Sequence, residues 1–268
     1  MLTRLRQEEG FTLPEMLITI VIGMTITLAG FTLVEVVMQR SGEISARIEA
    51  VQSGRSAMDL ITRQLRSQVC LLRPGGTVDD PRRSLIAANP ASMTFYVDMR
   101  NTANPNPSAT PTATPSGFSG PEKHTLSYDA VKGEILETSF KSLSVTNGNY
   151  EWAATGTTRA LLSNVELDTA KDANGNVIKD GAGKPVYVPL FQYYRYDFNL
   201  EIPQPTFPLP GTLTDPQLKQ VAKIKITYKA QPSRKRPNDR ASTVFTNDVF
   251  VRTVDTNGEA SKLSNPCI

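Results

Sequence analysis

Histidine and tryptophan occur once each in these 268 residues, and cysteine twice. A lone histidine, His124, excludes a histidine-built metal centre and removes the commonest general acid or base. It falls in a stretch that reads as loop, with no evident partner, so a catalytic role is not expected of it. Cys70 and Cys267 lie too far apart in sequence for a redox Cys-x-x-Cys or a zinc spacing. Neither a Gly-rich phosphate loop nor a nucleophile elbow is present. Charge of one sign is not in excess either. The 29 Lys and Arg oppose 26 Asp and Glu, and the net +3 does not demand a nucleic-acid partner. Nothing here points to an enzyme, so the information must lie in pattern.

The pattern is concentrated near the N-terminus. From Met16 to Val34 no residue is ionisable. About 20 apolar residues in a helix cross a hydrocarbon core of roughly 30 Å. One carboxylate, Glu15, stands at the edge of this run. A carboxylate inside a bilayer costs about 2.5–3.5 kcal/mol on insertion scales, so Glu15 needs a reason and a partner. The preceding residues are short and polar, with Arg4 and Arg6 against Glu8 and Glu9. A secretory signal places its small-residue cleavage site after the apolar core. Here the small residue, Gly10, comes before it. A cut after Gly10 would keep the apolar segment as a new N-terminus.

The stretch Gly10-Phe11-Thr12-Leu13-Pro14-Glu15 resembles the type III leader of type IV pilins and type II secretion pseudopilins. The resemblance is close over the leader and first helix and only architectural beyond. It implies cleavage by a prepilin peptidase between Gly10 and Phe11, and N-methylation of Phe11. It also implies that Glu15 pairs with the amino group of Phe11 on a neighbouring subunit. Physical chemistry agrees, since a buried carboxylate and a buried ammonium each cost far less together than alone. Negative charge is also favoured in the first turn of a helix. Pro14 departs from the family's aliphatic residue. Its missing N–H falls among the first four that have no intrahelical partner. Arg4 and Arg6 favour the cytoplasmic side. The expected localisation is the inner (cytoplasmic) membrane, crossed once, with an extracytoplasmic head. From there the subunit would pass to the base or tip of a filament. On this reading the chain is not an enzyme but the substrate of one. Its partners would be other pilins or pseudopilins, the prepilin peptidase, the inner-membrane assembly platform and the membrane itself.

Four segments follow. Residues 1–10 are the leader, 11–37 the transmembrane or filament-core helix, and 38–70 an amphipathic continuation into the head. Residues 71–268 form a β-rich head. The amphipathic stripe is Ile44, Ile48, Val51, Met58, Ile61, Leu65 and Val69 at helical spacing. It suits a helix laid on its own sheet. Thr19, Gly23 and Thr27, at four-residue spacing, suit close contact between helices instead. Pro74-Gly75-Gly76 is the expected stop. From Phe11 to Cys70 the helix would span about 90 Å at about 1.5 Å per residue.

Strand signals follow the helix. Met93, Phe95 and Val97 alternate with polar residues. Leu126–Asp129 and Glu134–Thr138 flank a turn at Lys132-Gly133. Further strands are expected at Leu143–Val145, Leu161–Leu167, Val186–Val188, Phe191–Leu200 and Val221–Lys229, the last paired with Val244–Val254. In Val221–Lys229, Ala222, Ile224, Ile226 and Tyr228 share one face. Residues 101–120 are rich in Pro, Ser, Thr and Asn and read as an exposed loop. The order predicts an α+β fold, pilin-like. Its long N-terminal helix, membrane-spanning in its first half, packs on an antiparallel β-sheet head. Size and layout resemble the larger minor (J/W-type) subunits.

Several features admit two readings. Cys70 and Cys267, in an exported domain, would either bridge the tail to the helix base or remain free thiols. Asp172, Asn174, Asn176 and Asp180 suggest a calcium loop, but the turn Gly and closing Glu of an EF-hand are missing. Asn174-Gly175 is more simply a hairpin turn. Arg234, Lys235, Arg236 and Arg240 could meet DNA phosphates, yet no aromatics are interleaved for base stacking. A solvated loop is the plainer account. Phe191, Tyr193, Tyr194, Tyr196 and Phe198 fit a core strand better than a sugar-binding face. The leading expectation is a minor pilin or pseudopilin that primes or caps a type IV pilus, DNA-uptake or type II secretion filament. The alternatives are a pilin-anchored adhesion or DNA-binding module, and an uncleaved membrane-tethered protein.

Overall fold

The computed structural model describes residues 12–71, 83–98, 120–146, 149–197, 199–200, 204–233 and 242–251. It opens with one helix, α1 (Leu13–Arg66). The first intrahelical bond runs from the Met16 N–H to the Thr12 carbonyl at 3.1 Å. Pro14 thus sits in the first turn, where its lack of an N–H costs no bond. The chain divides into two compact units after Ala46. In the first unit, every residue from Thr12 to Ser41 is exposed.

The second unit carries two antiparallel sheets. The first comprises β1 (Leu85–Ala88), β2 (Ser92–Val97), β3 (Glu122–Asp129), β4 (Glu134–Thr146), β5 (Asn149–Trp152) and β6 (Thr157–Ser163). Strands β1 to β4 follow in order, and both β5 and β6 pair with the long β4. The second sheet comprises β7 (Val165–Glu166), β8 (Phe191–Asp197), β9 (Gln204–Pro208), β10 (Lys223–Ala230) and β11 (Thr243–Phe250). Its order is β11-β10-β8-β9, with β7 also on β10. A four-residue helix, α2 (Asp215–Leu218), precedes β10. This is an α+β layout, a long N-terminal apolar helix followed by antiparallel sheets.

Both sheets and the end of α1 share one core. Met58, Ile61 and Leu65 of the helix join Met93, Phe95, Leu126 and Ile135 of the first sheet. Phe191, Tyr193, Ile224, Ile226, Tyr228 and Val249 of the second sheet complete it. Each such side chain contributes about 1.5–3 kcal/mol of transfer free energy. The inward set Ala222, Ile224, Ile226 and Tyr228 is the one expected from alternation, and all four are buried. β10 pairs with β11 from Lys223↔Phe250 to Ala230↔Thr243, also as expected. The turn at Lys132-Gly133 joins β3 to β4. There Asp129 Oδ1 accepts from the Val131 and Lys132 N–H groups, and Gly133 takes a left-handed φ of 64°.

The structure departs from the sequence reading in several places, five of them in the helix and strand bounds that follow. First, Ile44 and Ile48 are 58% and 52% exposed, so the stripe does not begin with them. The buried face of the head's helix is instead Ala50, Gly54, Ala57, Met58, Ile61, Gln64 and Leu65. Small residues let the second sheet come close. The Tyr228 hydroxyl donates to the Gly54 carbonyl at 2.7 Å, and a Cβ on Gly54 would lie 2.5 Å from Phe245 Cε2. Second, α1 ends at Arg66, before Cys70. The sheet captures the chain first. Gln68 pairs with Val97, the Val69 N–H donates to the Tyr96 carbonyl at 3.1 Å, and Leu71 pairs with Arg83. Pro74-Gly75-Gly76 lies outside the described residues. Third, Leu143–Val145 is the far part of β4 rather than a separate strand. Fourth, Leu161–Leu167 is split into β6 and β7 at Asn164, whose φ is 58°. Fifth, Val186–Val188 belongs to a projecting arm rather than to either sheet.

That arm closes on itself. Ala170, Ile178 and Val186 stand eight residues apart. The Ile178 N–H donates to the Ala170 carbonyl at 2.8 Å, Val186 to Ile178 at 2.9 Å, and Ala170 to Val186 at 2.8 Å. Its two tight turns repeat one device. Asp172 Oδ1 accepts from the Asn174 and Asn176 N–H groups, and Asp180 Oδ1 from those of Ala182 and Lys184. Gly175 and Gly183, each three residues after its Asp, supply the positive φ.

Candidate functional site

The exposed stretch of α1 is the feature no folded core explains. Leu13, Met16, Leu17, Ile18, Ile20, Val21, Ile22, Met24, Ile26, Leu28, Phe31, Leu33 and Val34 all face outward. Contiguous apolar surface on this scale marks a membrane or protein partner. The polar atoms inside the run are dealt with locally. Thr19 Oγ1 donates to the Met16 carbonyl at 2.9 Å, Thr25 to Ile22 at 2.8 Å, Thr27 to Gly23 at 2.7 Å and Thr32 to Ala29 at 2.9 Å. Hydroxyls folded back on the preceding turn leave no donor unmet in lipid. The helix is long and apolar enough to cross a membrane, by length and composition.

Glu15 lies in the first turn of this helix and is exposed. The sequence placed it there, and the helix dipole favours its charge. Gly10 and Phe11, the proposed cleavage and methylation positions, lie outside the described residues. Open space surrounds Gly23 and Gly30, so the small-residue face is available for contact.

The remaining expected sites are distributed over the head. Asp172, Asn174 and Asn176 share one tight turn, and Asp180 opens the next. The Asp172 carboxyl is held below its usual range, first by the Asn176 N–H and then by the Asn176 side chain. Among the described residues no group of three or more His, Cys, Asp or Glu is placed to hold a metal. Arg234, Lys235, Arg236 and Arg240 lie outside the described residues, as does Cys267. Cys70 is not a free thiol. Phe191 and Tyr193 fill the core, while Tyr194 faces the other way under Lys223 Nζ, 4.4 Å from its ring centre.

One cluster escaped the sequence reading. His124 is not in a loop but on β3, 4% exposed, and it does have partners. Its Nδ1 lies 2.7 Å from Glu137 Oε1 and its Nε2 2.9 Å from Glu122 Oε2. Glu137, on β4 and 2% exposed, also accepts from Arg159 Nε at 2.5 Å and from Gln64 Nε2 of α1. The pairing Leu126↔Glu137 and His124↔Ser139 puts these side chains on the helix-facing side. The available signal was the alternation of Glu122, His124, Leu126 and Tyr128 running back from the Gly133 turn.

Against known proteins, residues 5–29 match the family model described as the prokaryotic N-terminal methylation motif. No curated protein and no solved structure matches the chain. The motif supports a type IV pilin-like or pseudopilin protein, a kind whose role is structural rather than enzymatic. Such a motif implies interaction with other pilins and with a prepilin peptidase. Motif and apolar helix together are compatible with membrane anchoring.

Proposed function

We propose that the chain is a minor pilin or pseudopilin that primes or caps a type IV pilus, DNA-uptake or type II secretion filament. One observation carries the reading. The methylation motif overlaps a helix that, from Met16 to Val34, exposes only apolar side chains and self-satisfied hydroxyls. Insertion leaves the head outside the inner membrane, with Arg4 and Arg6 on the cytoplasmic side. Cleavage after Gly10 frees the Phe11 amine for methylation. Glu15 then guides lateral exit into a helical bundle by pairing with the Phe11 amine of a neighbour. The low-dielectric setting makes that pair selective, because either charge alone is costly. A Cys70–Cys267 bridge would fasten the C-terminal tail to the base of the helix. The size of the head supports a minor rather than a major subunit.

Glu15 variants test this assembly step. Glu15→Ala and Glu15→Gln should be inserted and cleaved normally, since neither alters the bond after Gly10. Both should fail to cross-link to partner pilins through cysteines placed along residues 16–34. Leaving one member of a buried pair alone costs about 3–5 kcal/mol, a loss of two orders of magnitude or more in recruitment. Glu15→Asp should be intermediate. Cross-linking of Glu15→Ala at the wild-type level would remove Glu15 from the mechanism.

A further inference from the structure

The buried cluster beneath the end of α1 plays no part in membrane entry or cleavage. Among the described residues it is a place where a helix residue of the head meets a buried charge. Gln64 is 1% exposed and donates to Glu137. Its Oε1 is buried without a partner, so the bond to Glu137 is the polar fastening this side chain makes. Glu137 accepts hydrogen bonds from Gln64 of α1 and Arg159 of β6, and His124 Nδ1 of β3 lies 2.7 Å from its Oε1 as an ion-pair contact outside hydrogen-bond geometry. A buried carboxylate needs such compensation, and losing a donor or its charge is costly there.

We propose that Glu137, His124, Gln64 and Arg159 form a pH-dependent latch that pins the last turns of α1 to the first sheet, tightest in mildly acidic surroundings. His124 is the sensor because it lies between two carboxylates. The groups facing it are few. On β3 it meets Glu122, and on β4 Glu137, beside Ser139 opposite it. On β2 it meets the Phe95 ring, 6.2 Å away, with half-buried Asp98 one residue beyond the partner of Glu122. On α1 the neighbour is uncharged Gln64, since Arg63 and Arg66 are exposed. Lys141 stands opposite Glu122 and is also exposed. Arg159 reaches the cluster only through Glu137.

Burial disfavours the charged imidazole, but the bonds and charges of Glu137 and Glu122 outweigh it and raise its pKa above 6.5. Burial likewise disfavours charged Glu137, and His124 and Arg159 outweigh it, holding its pKa below 4.5. A raised histidine stabilises below its unfolded value and loses that contribution as pH rises through its folded value. A lowered carboxyl stabilises above its unfolded value and loses that contribution as pH falls through its folded value. Both contributions are complete only between about pH 4.5 and 6.5. On the alkaline side neutral His124 leaves Glu137 with one charged partner fewer. On the acid side neutral Glu137 weakens its bonds to Gln64 and Arg159.

The single histidine makes the test clean. In the full-length protein in detergent, NMR of 15N-histidine should show the ring titrating above pH 6.5. Hydrogen exchange of the peptide covering residues 58–66, corrected for intrinsic rates, should lose protection through that same midpoint. Each pKa unit of elevation is a factor of about ten in the opening equilibrium. His124→Gln should abolish the step. Arg159→Ala should move the midpoint upward, because Glu137 loses its competing cation. A midpoint at or below 6.5, an unmoved midpoint in Arg159→Ala, or a step that survives His124→Gln would overturn the latch.

Discussion

One helix behaves in two ways. Between Leu13 and Ser41 α1 exposes every side chain, and its bulky residues surround it on all sides. Between Arg47 and Arg66 it is sided, with a buried face that starts with Ala50, Gly54 and Ala57 and ends with Ile61, Gln64 and Leu65. The first stretch meets its polar needs by folding threonine hydroxyls onto its own carbonyls. The second does so at exposed Ser53 but meets the needs of its buried face across the fold, through Tyr228 to Gly54, Asn247 to Thr62 and Gln64 to Glu137. The difference is compatible with a membrane around the first stretch and a sheet against the second. A helix that must be self-sufficient belongs in lipid or among like helices. A helix that outsources its polar contacts belongs to one particular sheet.

The comparison can be broken from either side, and the bridge we propose at Cys70 should give the largest effect. Closing so long a loop stabilises the head by about 5 kcal/mol as an upper figure. Non-reducing peptide maps of exported protein should recover Cys70 linked to Cys267, and reduction should lower the melting temperature of the head alone. Quantitative alkylation of both thiols without reductant would reject the bridge. Next comes Leu65→Ala, which removes a fully buried side chain at about 2–5 kcal/mol. For a head of this size that is roughly 5–15 °C in melting temperature. Leu28→Ala, in the exposed stretch, should leave the same transition in place. Equal shifts would mean that the two stretches are not built for different surroundings. Smaller still is Gly54→Ala, where the new methyl must push the Phe245 ring aside at about 1–3 kcal/mol. Gly23→Ala meets open space and should leave the melting of the head unchanged. Calorimetry of the four variants in one detergent reads all of these.

The first stretch was legible in sequence because its signal is composition, and a run without charge needs no partner to be seen. The β10–β11 pair was legible because its alternation is apolar against Lys and Thr. The buried face of the second stretch was not. Ile44 and Ile48 carry the stronger hydrophobic signal, yet close approach of a sheet selects small residues, and Ala50, Gly54 and Ala57 look neutral in sequence. β3 was missed in its first half for a related reason. Its inward positions there are Glu122 and His124, and polar residues at core positions look like loop until their partners on β4 and β6 are known. The end of α1 was placed at Pro74-Gly75-Gly76 by local signals. Long-range pairing with Val97 and Arg83 ends it sooner, and that cannot be read from neighbours in sequence.

The central claim is that the exposed apolar helix becomes the N-terminus of a processed filament subunit. Intact-mass analysis of the membrane fraction, from a host with an active prepilin peptidase, tests it most directly. The account predicts a chain that starts at Phe11 and carries one added methyl group, with Gly10→Val left unprocessed. Recovery of only the full-length wild-type chain would contradict it.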